Sequence, residues 1–167
     1  MIRPFKITDS ERCAEIINAC HKSMPELSDE QVRFLLGKYT PKYLEEEYLK
    51  HYVLVYEEND EILGVGSFIT EGAEIRGIYI DPKFQSKGIG SRLVLELEKE
   101  AKMQGAQKVY VKAYFAPEHF YEKLGFKRMN EGETLRGNVR FRFVNMEKCL
   151  WGCVCQKICN SNPLLVN

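Results

Sequence analysis

The chain of 167 residues is poor in the features that would commit it to a special environment or partner. Histidine is scarce: His21, His51 and His119 lie far apart, without the paired spacing that holds a metal. Neither sign of charge is in excess, because 24 basic residues meet 24 acidic ones. That balance excludes the basic stripe on which nucleic-acid binding depends. No apolar run approaches the length of a membrane span, and residues 1–6 lack the apolar stretch of a signal peptide. The expectation is a cytoplasmic protein with no membrane or nucleic-acid partner. Internal repeats and low-complexity linkers are also missing, so the length reads as one domain.

What is there is a soluble globular composition, 44% hydrophobic and 29% charged. Residues 2–6 read as a short strand. Thr8 with Glu11 three residues on makes a capping-box pattern, and Cys13, Ile16, Ile17, Cys20 and Met24 follow at helical spacing. Two short helices are expected over 28–49, broken near 37–41. A meander of strands follows at 51–57, 62–70 and 73–81, and Pro82 ends it because it cannot donate to a ladder. The period then becomes helical from Gly88, with Ile89, Leu93, Val94, Leu97 and Ala101 on one face. A strand at 108–114, a short helix at 117–124 and closing strands at 126–128 and 139–146, around a polar connection, complete the order. The class is α/β, a mostly antiparallel sheet with one parallel crossing through the helix that starts at Gly88.

The segment from Ile75 to Leu93 is the most informative. A strand enters a glycine-bearing loop that opens directly into an amphipathic helix. Backbone N–H groups at such a junction lack intrahelical partners and point together, and the helix dipole adds partial positive charge. A phosphate is well accommodated there. Glycine spacing alone leaves several readings open, including a loop whose glycines serve only the turn. A dinucleotide-binding loop needs a third glycine that is missing here, and a P-loop needs Gly-Lys-Ser/Thr where Gly90 is followed by Ser91 and Arg92. Lys87 offers a direct charge, as does Arg92 if it faces the loop.

Gln85-x-x-Gly88-x-Gly90, preceded by Ile78-Tyr79-Ile80-Asp81-Pro82, resembles the acyl-CoA pyrophosphate signature of the GNAT acetyltransferase superfamily. The segment from Phe120 to Phe126, with Tyr121-Glu122-Lys123-Leu124-Gly125 between, resembles that family's second signature. The resemblance covers about residues 1–148, taken as a GNAT-like domain, and leaves 149–167 as a cysteine-rich tail. It implies a GNAT-like mixed sheet flanked by helices, whose central parallel strands splay apart. It further implies that acetyl-CoA is the co-substrate, with pantetheine bonding to the backbone of Ile78, Tyr79 and Ile80. The pyrophosphate role falls to the backbone of Gln85, Ser86, Lys87, Gly88, Ile89, Gly90 and Ser91.

The implied reaction is N-acetyl transfer to a primary amine, carried by a small molecule or a peptide. Tyr121 matches the family tyrosine that serves as general acid to the leaving thiolate, and the Ile80 N–H is a candidate for polarising the thioester carbonyl. Glu74 is the candidate base from its position on the strand; Glu71, Glu118 and His119 are neighbours in sequence. Tyr114 and Pro117 stand where many members carry Asn and Ala, so a side-chain contact to the cofactor is altered. In the family the first helices and their loop contribute to acceptor recognition, so Lys38, Lys42, Glu45, Glu46 and Glu47 either line an acceptor cleft or form a solvated face. Family members often pair through sheet edges or terminal strands, so a homodimer stays open. A non-catalytic acyl-CoA-binding module is the alternative reading, sharing the loop and differing at Tyr121. In the tail, Cys149, Cys153, Cys155 and Cys159 do not have zinc-ribbon spacing; the plain reading is a tail packed on or trailing from the domain, and a metal site, a disulfide pair and acylation are left open beside it.

Overall fold

The computed structural model describes residues 1–114 and 118–151, and in them a sheet of seven strands is flanked by five α-helices. The strands are β1 (Ile2–Pro4), β2 (Tyr52–Glu58), β3 (Glu61–Ile69), β4 (Glu74–Ile80), β5 (Lys108–Ala113), β6 (Lys127–Arg136) and β7 (Val139–Cys149). The helices are α1 (Ser10–Ser23), α2 (Asp29–Lys38), α3 (Pro41–Tyr48), α4 (Ile89–Met103) and α5 (Glu118–Lys123). The order across the sheet is β1-β2-β3-β4-β5-β7-β6, and only β4 and β5 run parallel. The mixed, mostly antiparallel sheet is the one expected.

Two large cores lie on its two faces, and a third, small cluster joins Leu35 of α2 to Val139 and Phe141 of β7. The apolar stripe of α1, with Cys13, Ile16, Ile17 and Cys20, packs with Leu44 of α3 against Val53, Val55 and Val65. Leu93, Val94, Leu97 and Ala101 of α4 pack on the other face against Val109, Val111 and Met146. Both early cysteines are fully buried small hydrophobes. The alternation of β4 serves both faces. Ile78 and Ile80 join the α4 core, while Tyr79 joins the α1 core.

Two local expectations are corrected. Thr8 is not the cap of α1. A 3₁₀ turn (Ile7–Asp9) comes first, Asp9 takes the N-cap position, and its carboxylate accepts from the Lys6 N–H at 2.7 Å. Arg3 pairs with the same carboxylate at 2.7 Å, so the Asp9 side chain is held back toward β1 and makes no capping bond to α1. The polar connection after residue 128 is also strand. β6 runs on to Arg136 and turns through Gly137, with φ 60°, into β7. As an edge strand it has no fully buried residue, and its half-buried positions, Gly132, Thr134 and Arg136, are not apolar, so the sequence shows no apolar alternation.

β7 ends at Cys149, one residue past the expected domain boundary. Leu150 is buried, and the Trp151 indole N–H donates to the Ala106 carbonyl at 2.9 Å. The remaining tail cysteines lie outside the described residues, as does Pro117.

The feature that positions the site is the joint between β4 and β5. Their ladder has a single register pair, Glu74 with Tyr110, supported by the Tyr110 N–H donating to Ala73 at 3.0 Å. Beyond it the strands part. A bulge at Gly77, with φ 66°, breaks the β3–β4 register between Val65 and Ser67 and turns β4 away.

Candidate active site

The gap between β4 and β5 has one end built from backbone. Asp81 closes β4: its carboxylate accepts from the Lys83 N–H at 3.0 Å and from Arg12 at 2.6 Å. Burial opposes its ionisation, but these two donors outweigh it and hold its pKa below the ordinary carboxylate value. A 3₁₀ turn (Pro82–Phe84) then leads into the loop. Ser86 and Gly88 both take left-handed backbone, with φ 62° and 79°, and Gly88 is the N-cap of α4. Gln85, Ser86, Lys87 and Gly88 are exposed, whereas Ile89 and Gly90 are buried. The first-turn N–H groups of α4 therefore lie next to a solvent-exposed loop. A Cβ on Gly90 would lie 3.3 Å from the Phe120 ring, so the helix start sits hard against α5.

The two basic neighbours of the loop differ. Lys87 lies over the Phe84 ring at 4.8 Å, beside the loop. Arg92 is turned to β2, where it donates to the Tyr56 hydroxyl at 3.2 Å, so it does not face the loop as the sequence allowed.

Farther along the gap, the Asp81 N–H donates to Leu63 of β3 at 2.9 Å. Alternation then turns the backbone groups of Ile80 and Ile78 away from β3 and toward the gap, and those of Tyr79 toward β3. The Ile80 carbonyl accepts from the Cys20 thiol at 3.0 Å. The edge that β4 presents there is an unpaired strand edge, suited to an extended ligand.

The other end is built from side chains. A cavity of about 260 Å³ lies where α1, α2 and α3 face the parted strands. Tyr121, Glu74, Ile78 and Tyr79 all line it, so the expected acid, base and part of the cofactor strand meet in one space. Tyr121 is buried, packed edge-on against Phe120 and Phe126 with ring centroids 4.9 and 5.5 Å away. Burial pushes its pKa up, so the phenol keeps its proton at neutral pH. The Glu74 carboxylate is held on both oxygens by Arg76, at 3.2 and 2.7 Å. Of the other carboxyl and imidazole candidates, His119 is exposed and pairs with Glu122 on α5, and Glu118 lies 3.6 Å from Arg128.

Of the charges that the sequence offered for an acceptor cleft, Lys38 and Glu47 line this cavity, but the rest of the wall is missed by sequence reasoning. His21 of α1 is 3% exposed and its Nδ1 has no hydrogen-bond partner among the described residues. Burial, then the charges of Arg136 and Lys38, push its pKa down to about 4, so the ring is neutral at pH 7. Lys38, Tyr39 and Arg136 join it from α2, the α2–α3 turn and the end of β6. Nothing in their spacing links them. The fold alone does.

Among the described residues no group of three or more His, Cys, Asp or Glu is placed to hold a metal, and no helix is long and apolar enough to cross a membrane.

Comparison with known proteins agrees with this architecture. Residues 23–150 match the family model of the acetyltransferase (GNAT) domain. A GCN5-related N-acetyltransferase from Rhodopseudomonas palustris is similar in fold, with TM-score 0.83 and 20% identity over 89% of this chain and 94% of that one. The PaiA N-acetyltransferase of Thermoplasma acidophilum, in complex with coenzyme A, gives 0.75 and 24% over 89% and 98%. YncA of Salmonella typhimurium, with its cofactor acetyl-CoA, gives 0.67 and 21% over 91% and 94%.

Proposed function

The chain belongs to the GNAT acetyltransferase family, and on that premise we propose that it transfers the acetyl group of acetyl-CoA to a primary amine, with Tyr121 as the general acid. The observation that carries the reading is the meeting of the open helix-start loop and the buried Tyr121 at two points of one parted-strand gap. The backbone of the loop 85–91 receives the pyrophosphate, and the gap-facing backbone of Ile78 and Ile80 receives pantetheine as an added strand.

In the transfer, the amine nitrogen attacks the thioester carbonyl carbon. A C–N bond forms, the carbonyl becomes an oxyanion, and the Ile80 N–H, turned to the gap, stabilises it. The C–S bond then breaks, and the Tyr121 hydroxyl donates its proton to the departing sulfur. The proton lost by the ammonium passes through water to Glu74, the carboxylate where the gap begins. Arg76 occupies both Glu74 oxygens, so water has to share one of them for that relay to run. The products are an acetamide and CoA. The protein acts as one catalytic domain of about residues 1–151, in the cytoplasm.

Two measurements test this reading. In a thermal-shift comparison of acetyl-CoA, ATP and NAD, acetyl-CoA at 100 times its dissociation constant should stabilise by about 2.7 kcal/mol. Stabilisation by ATP or NAD alone would overturn the co-substrate. Thiol release from acetyl-CoA across a broad amine panel tests turnover, and binding without release would favour a sensor module.

A further inference from the structure

Resting on the transferase reading above, the same cavity also says what kind of amine it takes. Charges in its wall do not cancel. Its two carboxylates are already engaged by cations, Glu74 by Arg76 at 2.7 Å and Glu47 by Lys50 at 2.6 Å. Three further cations line the space, Lys38, Lys112 and Arg136, and among the described residues none of them is ion-paired with a carboxylate.

They are held in place by aromatic faces instead. Lys38 Nζ lies over the Tyr39 and Tyr43 rings at 5.2 and 5.0 Å. The Arg136 guanidinium lies over Tyr114 and Phe141 at 5.1 and 5.5 Å, and Lys112 Nζ over Phe143 at 5.6 Å. A ring face orients a cation but does not neutralise it. The strain of crowding is visible on Lys38, whose pKa is lowered by burial and then by Arg136 and Arg76.

Such an excess is unusual in a chain whose basic and acidic residues balance at 24 each. It also sits apart from the loop 85–91, where the pyrophosphate is expected. The buried His21, neutral and with Nδ1 unpartnered among the described residues, stands in the same wall and adds a hydrogen-bonding group awaiting a ligand.

We propose that the acceptor is a primary amine that also carries an anionic group, a carboxylate or a phosphate, which Arg136 and Lys38 bind while the amine faces the Glu74 and Tyr121 end of the cavity. Polycationic amines are the class the wall repels. A carboxylate or phosphate placed between these cations replaces their repulsion with charge-assisted hydrogen bonds. Arg136 suits this role because its fork of donors matches both anions.

The experiment uses matched amines: 4-aminobutyrate against its amide, phosphoethanolamine against ethanolamine, and spermidine. Thiol release at saturating acetyl-CoA gives kcat/KM for each, and calorimetric titration of the same amines into the protein, with and without CoA, gives binding. The anionic member of a pair should exceed its neutral partner by at least about tenfold, the size of one charge-assisted contact. In Arg136→Gln and in Lys38→Gln that ratio should fall about tenfold, with thermal melts reporting whether each variant is folded. The two pairs separate a carboxylate acceptor from a phosphate one.

Neutral amines or spermidine used as well as the anionic partners would overturn the proposal. So would ratios that survive both substitutions, or a loss confined to CoA affinity. If no amine is turned over, the transferase reading fails and calorimetry decides this one: preference for the anionic partner upholds it, and equal or absent binding overturns it.

Discussion

The two ends of the β4–β5 gap are made of different material. At the loop end, the proposed recognition is written in backbone, with the left-handed Gly88, the close approach of Gly90 to Phe120 and the first-turn N–H groups of α4. At the cavity end it is written in side chains from separate elements, His21, Lys38, Arg76 and Arg136, with aromatic rings between them. A backbone site accepts any ligand with the right phosphates and is tuned only by conformation. A side-chain site is tuned residue by residue. The first suits a ligand shared by many enzymes, and the second a ligand particular to one.

Tyr121 lines the cavity end, and its replacement gives the sharpest separation. Tyr121→Phe removes the proposed acid's hydroxyl and leaves its ring in the wall, so kcat should drop by at least about a hundredfold, within the range for general acids. CoA and amine affinity, read by calorimetry, should hold to within about a factor of three. A matching loss of CoA affinity would show that the phenol serves binding instead.

The next largest effect belongs to the cavity wall. His21 has a folded pKa of about 4 against 6.5 for the free group. Its neutral form is the folded one, so the stability it permits is fully present above pH 6.5 and is lost as pH falls toward 4. The loss should approach about 3 kcal/mol, at about 1.36 kcal/mol per pKa unit. Denaturant melts of His21→Leu against the parent should show a shallower fall across that window. Equal slopes would mean the ring can be charged where it stands, beside Arg136 and Lys38.

At the loop end the effects are smaller and should reach only the cofactor. Gly90→Val pushes atoms into the Phe120 ring, which already lies 3.3 Å from where the first added carbon would sit. Overpacking of this kind costs about 2 kcal/mol, and CoA affinity should weaken about tenfold with the anionic-to-neutral amine ratio preserved. The comparison breaks if that ratio changes as much. Gly88→Ala meets no atom within 4 Å, so its cost is conformational only, about 1 kcal/mol for a left-handed alanine. Thermal unfolding should register it as a shift of about 3 °C. A much larger shift would place a contact at a position that has none.

This division also explains what can be read from the sequence. The loop is legible because its determinants are adjacent: Pro82 ends a strand, two glycines follow, and Ile89, Leu93 and Leu97 set the helical period. The α1 stripe and the tyrosine helix are legible for the same reason. The cavity wall is not, because Lys38 and Arg136 are far apart in sequence and meet only through the path of β6 beside β7. β6 itself reads as a connection past residue 128, since an exposed edge strand has no buried face to impose alternation. Pattern alone favours Thr8 as a cap, while the ion pair that favours Asp9 depends on Arg3, in the strand before it.

A sheet joined at the single pair of Glu74 and Tyr110 is, in folding terms, two panels on one pin. The panel β1–β4 and the panel β5–β7 are each antiparallel throughout and complete their ladders internally. Cooperativity between them then rests on helices, α4 with its apolar face on both and α2 with Leu35 against Val139 and Phe141, and not on backbone pairing. A ligand that bonds to both parted edges would restore the missing ladder and fuse the panels into one cooperative unit. Trp151, the sole tryptophan and anchored to Ala106 at the foot of β5, reports on one panel alone. Its fluorescence should part from the whole-chain circular dichroism during urea unfolding without ligand, and the two curves should merge when CoA is bound.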